Sequence, residues 1–449
     1  MPSIGGYQLL GLLGRGGMGS VYKVVDPGSK RLRAMKVLRP GQVMQDVLGF
    51  EELKKRFFKE AEIMTQLKHR HVARILEMGE HGPLPFMVQE YLCINLGLLI
   101  GESVRVEQPT RPLSPLKSLG IISQVLDCLS GLHESGLIHR DIKPENIMLD
   151  CQGKVKIIDF GLSRFVQEKV SDPAGMIVGS PYYAAPEQVD DPQRADERSD
   201  IYSAGMVLYR MVTGHLSGVS AADIQGHPLL GPGWKSVMDK ALAPEPGRRF
   251  SDAPAMKRQI TALERDWKKR QDQVCALPWF ESRHAGEKFS SIRNKPVHTG
   301  KAGGAPSKNL NSLMQPATYL DNEFEKVEDG ILDYATGLLW HKSLSSAQLN
   351  YEQVLQYLRG LNCHDESCGQ AGPWRLPTVD ELISLLEPRQ SLEDFCSPDF
   401  WNLNNRSWLW SADTRTRTTA WVVDMEQGAV LPLDRMCMLY VLPVRQKKA

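Results

Sequence analysis

The sequence predicts an α+β chain of two domains joined by a flexible linker, and three observations predict it. Strand-like runs at Tyr7–Leu13, Ser20–Val25, Leu32–Leu38 and Phe86–Leu92 surround one amphipathic helix, so the chain opens on a sheet-rich unit. An apolar-periodic helix from Leu119 to His133 then begins a more helical part. Between Lys288 and Asn311 the composition turns to Gly, Ser, Lys, Asn and Pro, too polar to bury a core, and from about Pro316 the hydrophobic pattern returns.

Bulk composition agrees with that division. A length of 449 residues suggests two or three domains, and 42% hydrophobic with 24% charged residues is ordinary for a globular chain. A net charge of +1 gives no reason to expect nucleic acid or an anionic membrane as a general partner. The most apolar run, Phe86 to Ile100, is interrupted by Gln89, Glu90 and Asn95 and falls short of a bilayer span. No basic-then-apolar leader precedes Tyr7, so a cytoplasmic location is the expectation. The eight cysteines are irregularly spaced, and Cys363 and Cys368, with His364 between them, lack two further ligands for a metal knuckle. Free thiols in a reducing compartment are the better reading.

Taken in order, the first chemical signal is Gly14-Arg15-Gly16-Gly17-Met18-Gly19, a G-x-G-x-x-G between two strands. It opens no helix, as a dinucleotide fingerprint would, and lacks the G-K-[ST] of a nucleotide loop that precedes one. Glycines here let the backbone approach phosphate oxygens and donate N–H groups to them. Lys36 follows in the strand Ala34-Met35-Lys36. Helical periodicity over Glu51–Leu67 places Leu53, Phe57, Ala61 and Met64 on one face, with Glu60 and Glu62 both available to Lys36. His139-Arg140-Asp141-Ile142-Lys143-Pro144-Glu145-Asn146 then puts a carboxylate and an amide on one loop, and Asp159-Phe160-Gly161 follows the apolar run Val155–Ile158. A substrate hydroxyl and a metal can be held together by such a loop.

These motifs together resemble the protein kinase superfamily, and Lys143-Pro144 resembles its serine/threonine branch. The resemblance runs from about Tyr7 to Trp267 and implies a bilobal fold, with a β-rich small lobe and an α-rich large lobe. It implies an ATP site at Leu13, Gly14, Gly16, Gly17, Met18, Gly19, Val21, Ala34, Lys36, Glu60, Glu90 and Leu92. In that site Glu60, rather than Glu62, pairs with Lys36, Gln89 is the gatekeeper, and the backbone of Glu90 and Leu92 meets the adenine edge. It implies Mg2+ at Asn146 and Asp159, and catalysis by Asp141, Lys143 and Asn146. Arg70 stands where the family commonly has Pro, which makes the loop Leu67–Val72 a possible contact surface. Gly101–Pro115 reads as an extended insertion.

Gly179-Ser180-Pro181-Tyr182-Tyr183 resembles the substrate platform, and Ser163 and Ser171 are the hydroxyls open to activating phosphorylation. Asp172 could instead supply a permanent negative charge to Arg140. By the same resemblance Asp200 braces the catalytic loop and Arg249 pairs with Glu187. Lys268-Lys269-Arg270 reads as a solvated helix end.

The second domain is expected over 316–449, after a linker at 268–315. Ile331–Trp340 reads as two strands about an Ala-Thr-Gly turn, and Leu349–Leu361 as an amphipathic helix. Val379–Leu386 reads as a helix with Thr378 and Glu381 as a capping box. Strand-like pieces follow at Trp408–Ser411, Thr419–Asp424 and Tyr440–Arg445. The order T-G-L-x-W, helix, W-R-L-P-T-x-x-E-L, W-S, A-W-x-V, V-R resembles the Lcl C-terminal-like domain. The W-R-L-P-T-x-x-E segment also resembles formylglycine-generating enzymes, which share a C-type-lectin-like fold. Its motif residues are Trp, Leu, Pro and Gly, which build a core; Arg375 is open to pairing with Glu381 or Asp424.

Two function classes follow. The first is an ATP- and Mg2+-dependent protein serine/threonine kinase acting on protein substrates, with a second domain that recruits substrate or senses a ligand. The alternative is a pseudokinase scaffold that binds partners through the second domain. The intact set of chemical residues favours the first.

Overall fold

The computed structural model describes residues 2–16, 19–102, 106–150, 153–160, 164–165, 181–216, 230–274, 292–300, 303–364, 372–387 and 408–446. Two compact units divide between Val274 and Cys275, and each is described by itself. Among the described residues no helix is long and apolar enough to cross a membrane.

The first unit opens on strands β1 (Ser3–Ile4), β2 (Tyr7–Gly16), β3 (Gly19–Val25) and β4 (Leu32–Leu38), then helices α1 (Gln42–Leu48) and α2 (Phe50–Gln66). Strands β5 (Ile75–His81) and β6 (Leu84–Glu90) complete a six-stranded sheet of order β1-β2-β3-β4-β6-β5. Alternation along β4 sorts its side chains. Met35 and Val37 join Tyr7, Val24, Phe86 and Val88 in one cluster, while Leu38 packs with Phe57 and Ala61 of α2. Lys36 shares the face of Leu38, which turns it toward α2. On α2 the expected stripe Leu53, Phe57, Ala61 and Met64 is buried, together with Glu60, and Glu62 is exposed.

The larger part of this unit follows β7 (Ile94–Asn95) and α3 (Leu96–Ile100). Helix α4 runs from Pro115 to Glu134, four residues earlier than the periodicity indicated. Ser114 caps it, and Pro115 at its first position lacks an N–H that would have had no partner there anyway. The catalytic loop lies between β8 (Leu137–Ile138) and β9 (Ile147–Leu149), and β10 (Val155–Ile157) pairs with β9 and leads to Asp159. After β11 (Arg164–Phe165) come α5 (Pro186–Asp190), α6 (Glu197–Thr213), α7 (Pro232–Ala241) and α8 (Ala253–Val274). The basic run at Lys268 is part of α8, and Lys268 pairs with Glu264 one turn earlier.

The second unit carries β12 (Phe324–Val327), β13 (Gly330–Asp333), β14 (Leu338–His341), α9 (Tyr351–His364) and α10 (Val379–Ile383). Strands β15 (Trp408–Thr414), β16 (Thr419–Asp424), β17 (Ala429–Asp434) and β18 (Val444–Gln446) follow. Two sheets, β12-β13-β14-β18 and β15-β16-β17, enclose a core that includes Trp340, Leu382, Leu409, Trp421 and Val430. The capping box forms as expected, with Thr378 Oγ1 accepting from the Glu381 N–H and Glu381 Oε2 accepting from the Thr378 N–H. Tyr440–Arg445 is not one strand, because Pro443 supplies no N–H; only Val444–Gln446 pairs with β14.

The linker expectation over 268–315 is corrected at both ends. Residues 268–274 are helix, and residues 292–300 and 303–315 are bonded into the second unit. Arg293 carries that docking. Its Nη1 and Nη2 each donate at 2.8 Å to the fully buried Asp413, and its Nε donates to Asp380 at 2.5 Å. Asp413 also accepts from the Val297 and Val379 N–H groups, both at 2.7 Å. A charged fork and backbone donors satisfy a carboxylate that solvent does not reach. A polar composition therefore concealed an ordered segment.

Candidate active site

Four local structures bring the site together: the β2–β3 hairpin, β4, α2 and the loops on either side of β9. Lys36 Nζ donates to both carboxylate oxygens of Glu60 at 2.8 Å and to Asp159 Oδ1 at 3.0 Å. Burial alone would depress the Lys36 ammonium, but the carboxylates of Asp159 and Glu60 outweigh it and raise it. Burial pushes the Glu60 carboxyl up against the pull of Lys36. The Lys36 ammonium beside Asp159 holds that carboxyl well below the usual range. Asp159 sits at φ 64°, a left-handed conformation that a non-glycine residue holds only when its surroundings fix it. Next to it, Phe160 is buried edge-on against the His139 ring.

The loop His139–Asn146 is fixed from beneath. Asp200, buried on α6, accepts from the His139 and Arg140 N–H groups, both at 2.8 Å, and His133 Nε2 lies 2.9 Å from its Oδ2. Burial would raise the Asp200 carboxyl, yet His133 and the His139 donors hold it below its ordinary value. Arg140 takes φ 65°, and Gln188 Nε2 donates to its carbonyl at 2.8 Å. Within the loop Asn146 Nδ2 donates to both Asp141 Oδ2 and the Asp141 carbonyl at 2.9 Å. Lys143 Nζ lies 2.8 Å from the same Oδ2. Burial would lower the Lys143 ammonium, and Asp141 beside it raises it instead. Arg249 grips Glu187 through two 2.7 Å bonds, as the sequence led one to expect.

The Gly-rich turn divides by purpose. Gly16 pairs with Gly19 across the hairpin, and a methyl group at Gly14 or Gly16 would meet nothing within 4 Å. At Gly19 it would lie 2.1 Å from the Val37 carbonyl oxygen, so this glycine lets β3 approach β4. Among the described residues nothing demands glycine at 14 or 16, which leaves an open backbone face suited to phosphate. Val21 lies opposite Lys36 in the sheet, and Ala34 opposite Gln89. Leu13 is exposed and Leu92 half-buried. The Glu90 N–H donates to the Arg74 carbonyl at 3.1 Å, so any bond from Glu90 to a base falls to its carbonyl. Gly17, Met18, Gly161, Ser163, Ser171, Asp172, Gly179, Ser180 and Cys368 lie outside the described residues.

Arg70 is engaged within the unit: its Nε donates to His71 Nε2 at 3.1 Å and its Nη2 to Asp127 at 3.2 Å. In the second unit Arg375 pairs with Glu381, not Asp424, with its Nη1 2.8 Å from Oε2. Sequence reasoning missed His133 and Gln188 as supports of the loop, and missed Glu102, Arg111 and Arg210. The signal for Glu102 and Arg111 was the set of charged residues in the insertion that begins at Gly101; Arg210 lies on α6, amid apolar residues.

Comparison with known proteins gives the family. The protein kinase domain model matches residues 7–225, and the Lcl C-terminal domain model matches 329–445. The chain is 31% identical over 321 residues to serine/threonine-protein kinase PknL of Mycobacterium tuberculosis, covering 67% of this chain and 75% of PknL. It is 29% identical over 332 residues to PrkC of Bacillus subtilis, covering 68% of this chain and 49% of PrkC. To PksC of Streptomyces coelicolor it is 36% identical over 276 residues, covering 56% of this chain and 48% of PksC. The chain thus spans about half the length of PrkC and of PksC. The crystal structure of the PknI kinase domain of Mycobacterium tuberculosis matches 58% of this chain and 97% of its own, at 24% identity and a TM-score of 0.43. With its kinase domain matched and PknL covered over three quarters of its length, the chain belongs to the bacterial serine/threonine-protein kinase family.

Proposed function

We propose that the chain is an ATP- and Mg2+-dependent protein kinase that transfers the γ-phosphoryl group to Ser or Thr hydroxyls of a protein. The observation that carries this reading is the Lys36 ammonium held between Glu60 and Asp159, with Asp141, Lys143 and Asn146 mutually bonded. The residues fit the implied ligands. Both bonds from Asn146 Nδ2 run to Asp141, which directs the amide oxygen the other way. With the Asp159 carboxylate it forms the hard-oxygen donor set that Mg2+ takes. Bound Mg2+ supplies charge neutralisation at the phosphates. Lys36 orients the phosphates and Glu60 fixes Lys36. The Asp141 carboxylate orients the acceptor hydroxyl and accepts its proton as the oxygen bonds to the γ-phosphorus and the bond from that phosphorus to the β,γ-bridging oxygen breaks, releasing ADP. Lys143 places positive charge beside the transferring group.

To the second unit we assign ligand sensing or substrate recruitment, since it brings a folded surface to the kinase at high local concentration. The test incubates the parent, Asp141→Asn, and a chain lacking the second unit with labelled ATP and Mg2+. Label on Ser or Thr in the parent but not in Asp141→Asn is expected, and equal labelling of the two refutes the assignment. Unchanged rate and acceptor choice without the second unit would remove its proposed role.

A further inference from the structure

We propose that Glu102 is a positioning residue for the protein acceptor: its carboxylate fixes Tyr183, and through it the segment Pro181–Ala185 on which an acceptor chain lies. The inference rests on the kinase reading above.

The insertion that leaves α3 is not a slack loop. Its residues 106–114 run as a strap across the C-terminal end of α6. The Thr110 N–H donates to the Gly214 carbonyl at 2.7 Å, and the Leu113 N–H to that of Met211 at 2.6 Å. Two buried arginines clamp the strap. Arg210 on α6 donates through Nη2 to the carbonyls of Val106 and Gln108 at 2.8 and 2.9 Å. Arg111 on the strap donates through its own Nη2 to those of Leu98 and Leu99 at 2.9 and 2.8 Å. The approach is close enough to require glycine at two left-handed positions. At Gly101 (φ 73°) a Cβ would lie 2.7 Å from Arg111, and at Gly214 (φ 75°) it would lie 2.5 Å from the Thr110 oxygen. Both residues therefore hold the strap in one register.

Two carboxylates on this segment reach the platform. Glu102, its side chain 2% exposed, accepts from the Tyr183 hydroxyl through Oε1 at 2.6 Å, and Arg210 Nε lies 3.4 Å from the same oxygen. The Tyr182 hydroxyl donates to Glu107. From α6, Ser203 Oγ donates to the Tyr183 carbonyl at 2.8 Å. Tyr183 is thus held at its hydroxyl by the strap and at its backbone by α6, just before α5. A buried carboxylate persists only where donors compensate its lost hydration. Here the Tyr183 hydroxyl donates to it and the Arg210 guanidinium lies beside it as an ion-pair partner, so one carboxylate touches both the platform and the arginine that clamps the strap.

The experiment compares the full chain with Glu102→Gln, Tyr183→Phe and the double variant, with casein and the Asp141→Asn chain both offered as acceptors. Each single variant is expected to raise the acceptor KM about ten-fold, the double variant no further, because Tyr183→Phe deletes the bond and Glu102→Gln removes the charge that strengthens the same bond. The KM for ATP, and hydrolysis of ATP without acceptor, should stay within about two-fold, since the ATP side of the site is untouched. Amide exchange at Tyr182–Ala185 should quicken in all three. An unchanged acceptor KM in an active parent background overturns the inference while leaving the kinase reading intact. So does a parallel loss of both KM values and thermal stability, which marks general destabilisation. A parent that labels neither acceptor and not itself overturns the kinase reading, and the inference with it.

Discussion

Asp200→Asn tests whether the catalytic loop owes its geometry to one buried carboxylate. The native side chain uses Oδ1 for the Arg140 N–H, and Oδ2 for the His139 N–H and His133 Nε2. An Asn has one acceptor oxygen and a donor where the other stood. Its less costly orientation keeps the oxygen toward His139 and His133 and turns the amide N–H2 against the Arg140 N–H. That leaves a buried backbone donor unsatisfied, about 1–3 kcal/mol, and removes the charge from the bonds that remain. Arg140 must also hold φ 65°, a conformation that costs about 1–3 kcal/mol when nothing compensates it. A loss of about 3 kcal/mol in loop order lowers the competent population roughly hundred-fold, and kcat with it. The assay is label transfer to casein, with ATP affinity and thermal unfolding measured on the same preparations. The expected result is a fall in kcat of about two orders of magnitude with ATP affinity changed only slightly. A variant with kcat within about three-fold of the parent and the same unfolding temperature would refute the reasoning, since the loop would then hold its shape without the charge.

Two further outcomes follow from buried ionisable groups. His71 is buried; its Nδ1 lies 2.8 Å from the Val155 carbonyl oxygen and its Nε2 accepts from Arg70, so the neutral ring uses both nitrogens. Burial pushes its pKa down, as does Arg70, so the unfolded chain takes up a proton that the folded chain refuses. Its contribution is whole above about pH 6.5 and is lost as pH falls through that value toward the depressed folded one. Denaturant midpoints of the parent should therefore fall between about pH 7.5 and 5, and His71→Gln should flatten the slope; equal slopes would contradict this. In the second unit, Arg293→Leu strands the buried Asp413 and should cost about 3–5 kcal/mol. A piece of residues 292–446 should also resist denaturant better than one of 316–446, and equal midpoints would show that the docked segment adds nothing.

The chemistry of the site was legible where local periodicity and side-chain type coincide. The helical stripe of α2 buries Glu60 and leaves Glu62 in solvent, in agreement with the choice that the family resemblance implied. Alternation along β4 turns Lys36 toward that helix. The capping box at Thr378 was readable because its two partners are three residues apart. Readability failed where partners are distant. Arg293 meets Asp413 120 residues away, so a stretch rich in Gly, Ser and Pro read as linker although it docks on a folded unit. Strand β17 contains Pro432, which argues against a strand until its edge position in the sheet β15-β16-β17 is known.

The sequence by itself determined the sheet-then-helix order of the first unit, the candidacy of Lys36, Glu60, Asp141, Asn146 and Asp159 for the site, and the presence of a second domain. Those are properties of residue type and short-range spacing. Only the tertiary structure decided that Arg375 takes Glu381 rather than Asp424, and that a glycine at 19 is needed for β3 to approach β4. It also decided that the insertion after α3 is clamped to α6 and tied to Tyr183. Each of these is a choice of partner for a buried charge or a close backbone approach, and partners far apart in the chain meet only when the whole unit packs.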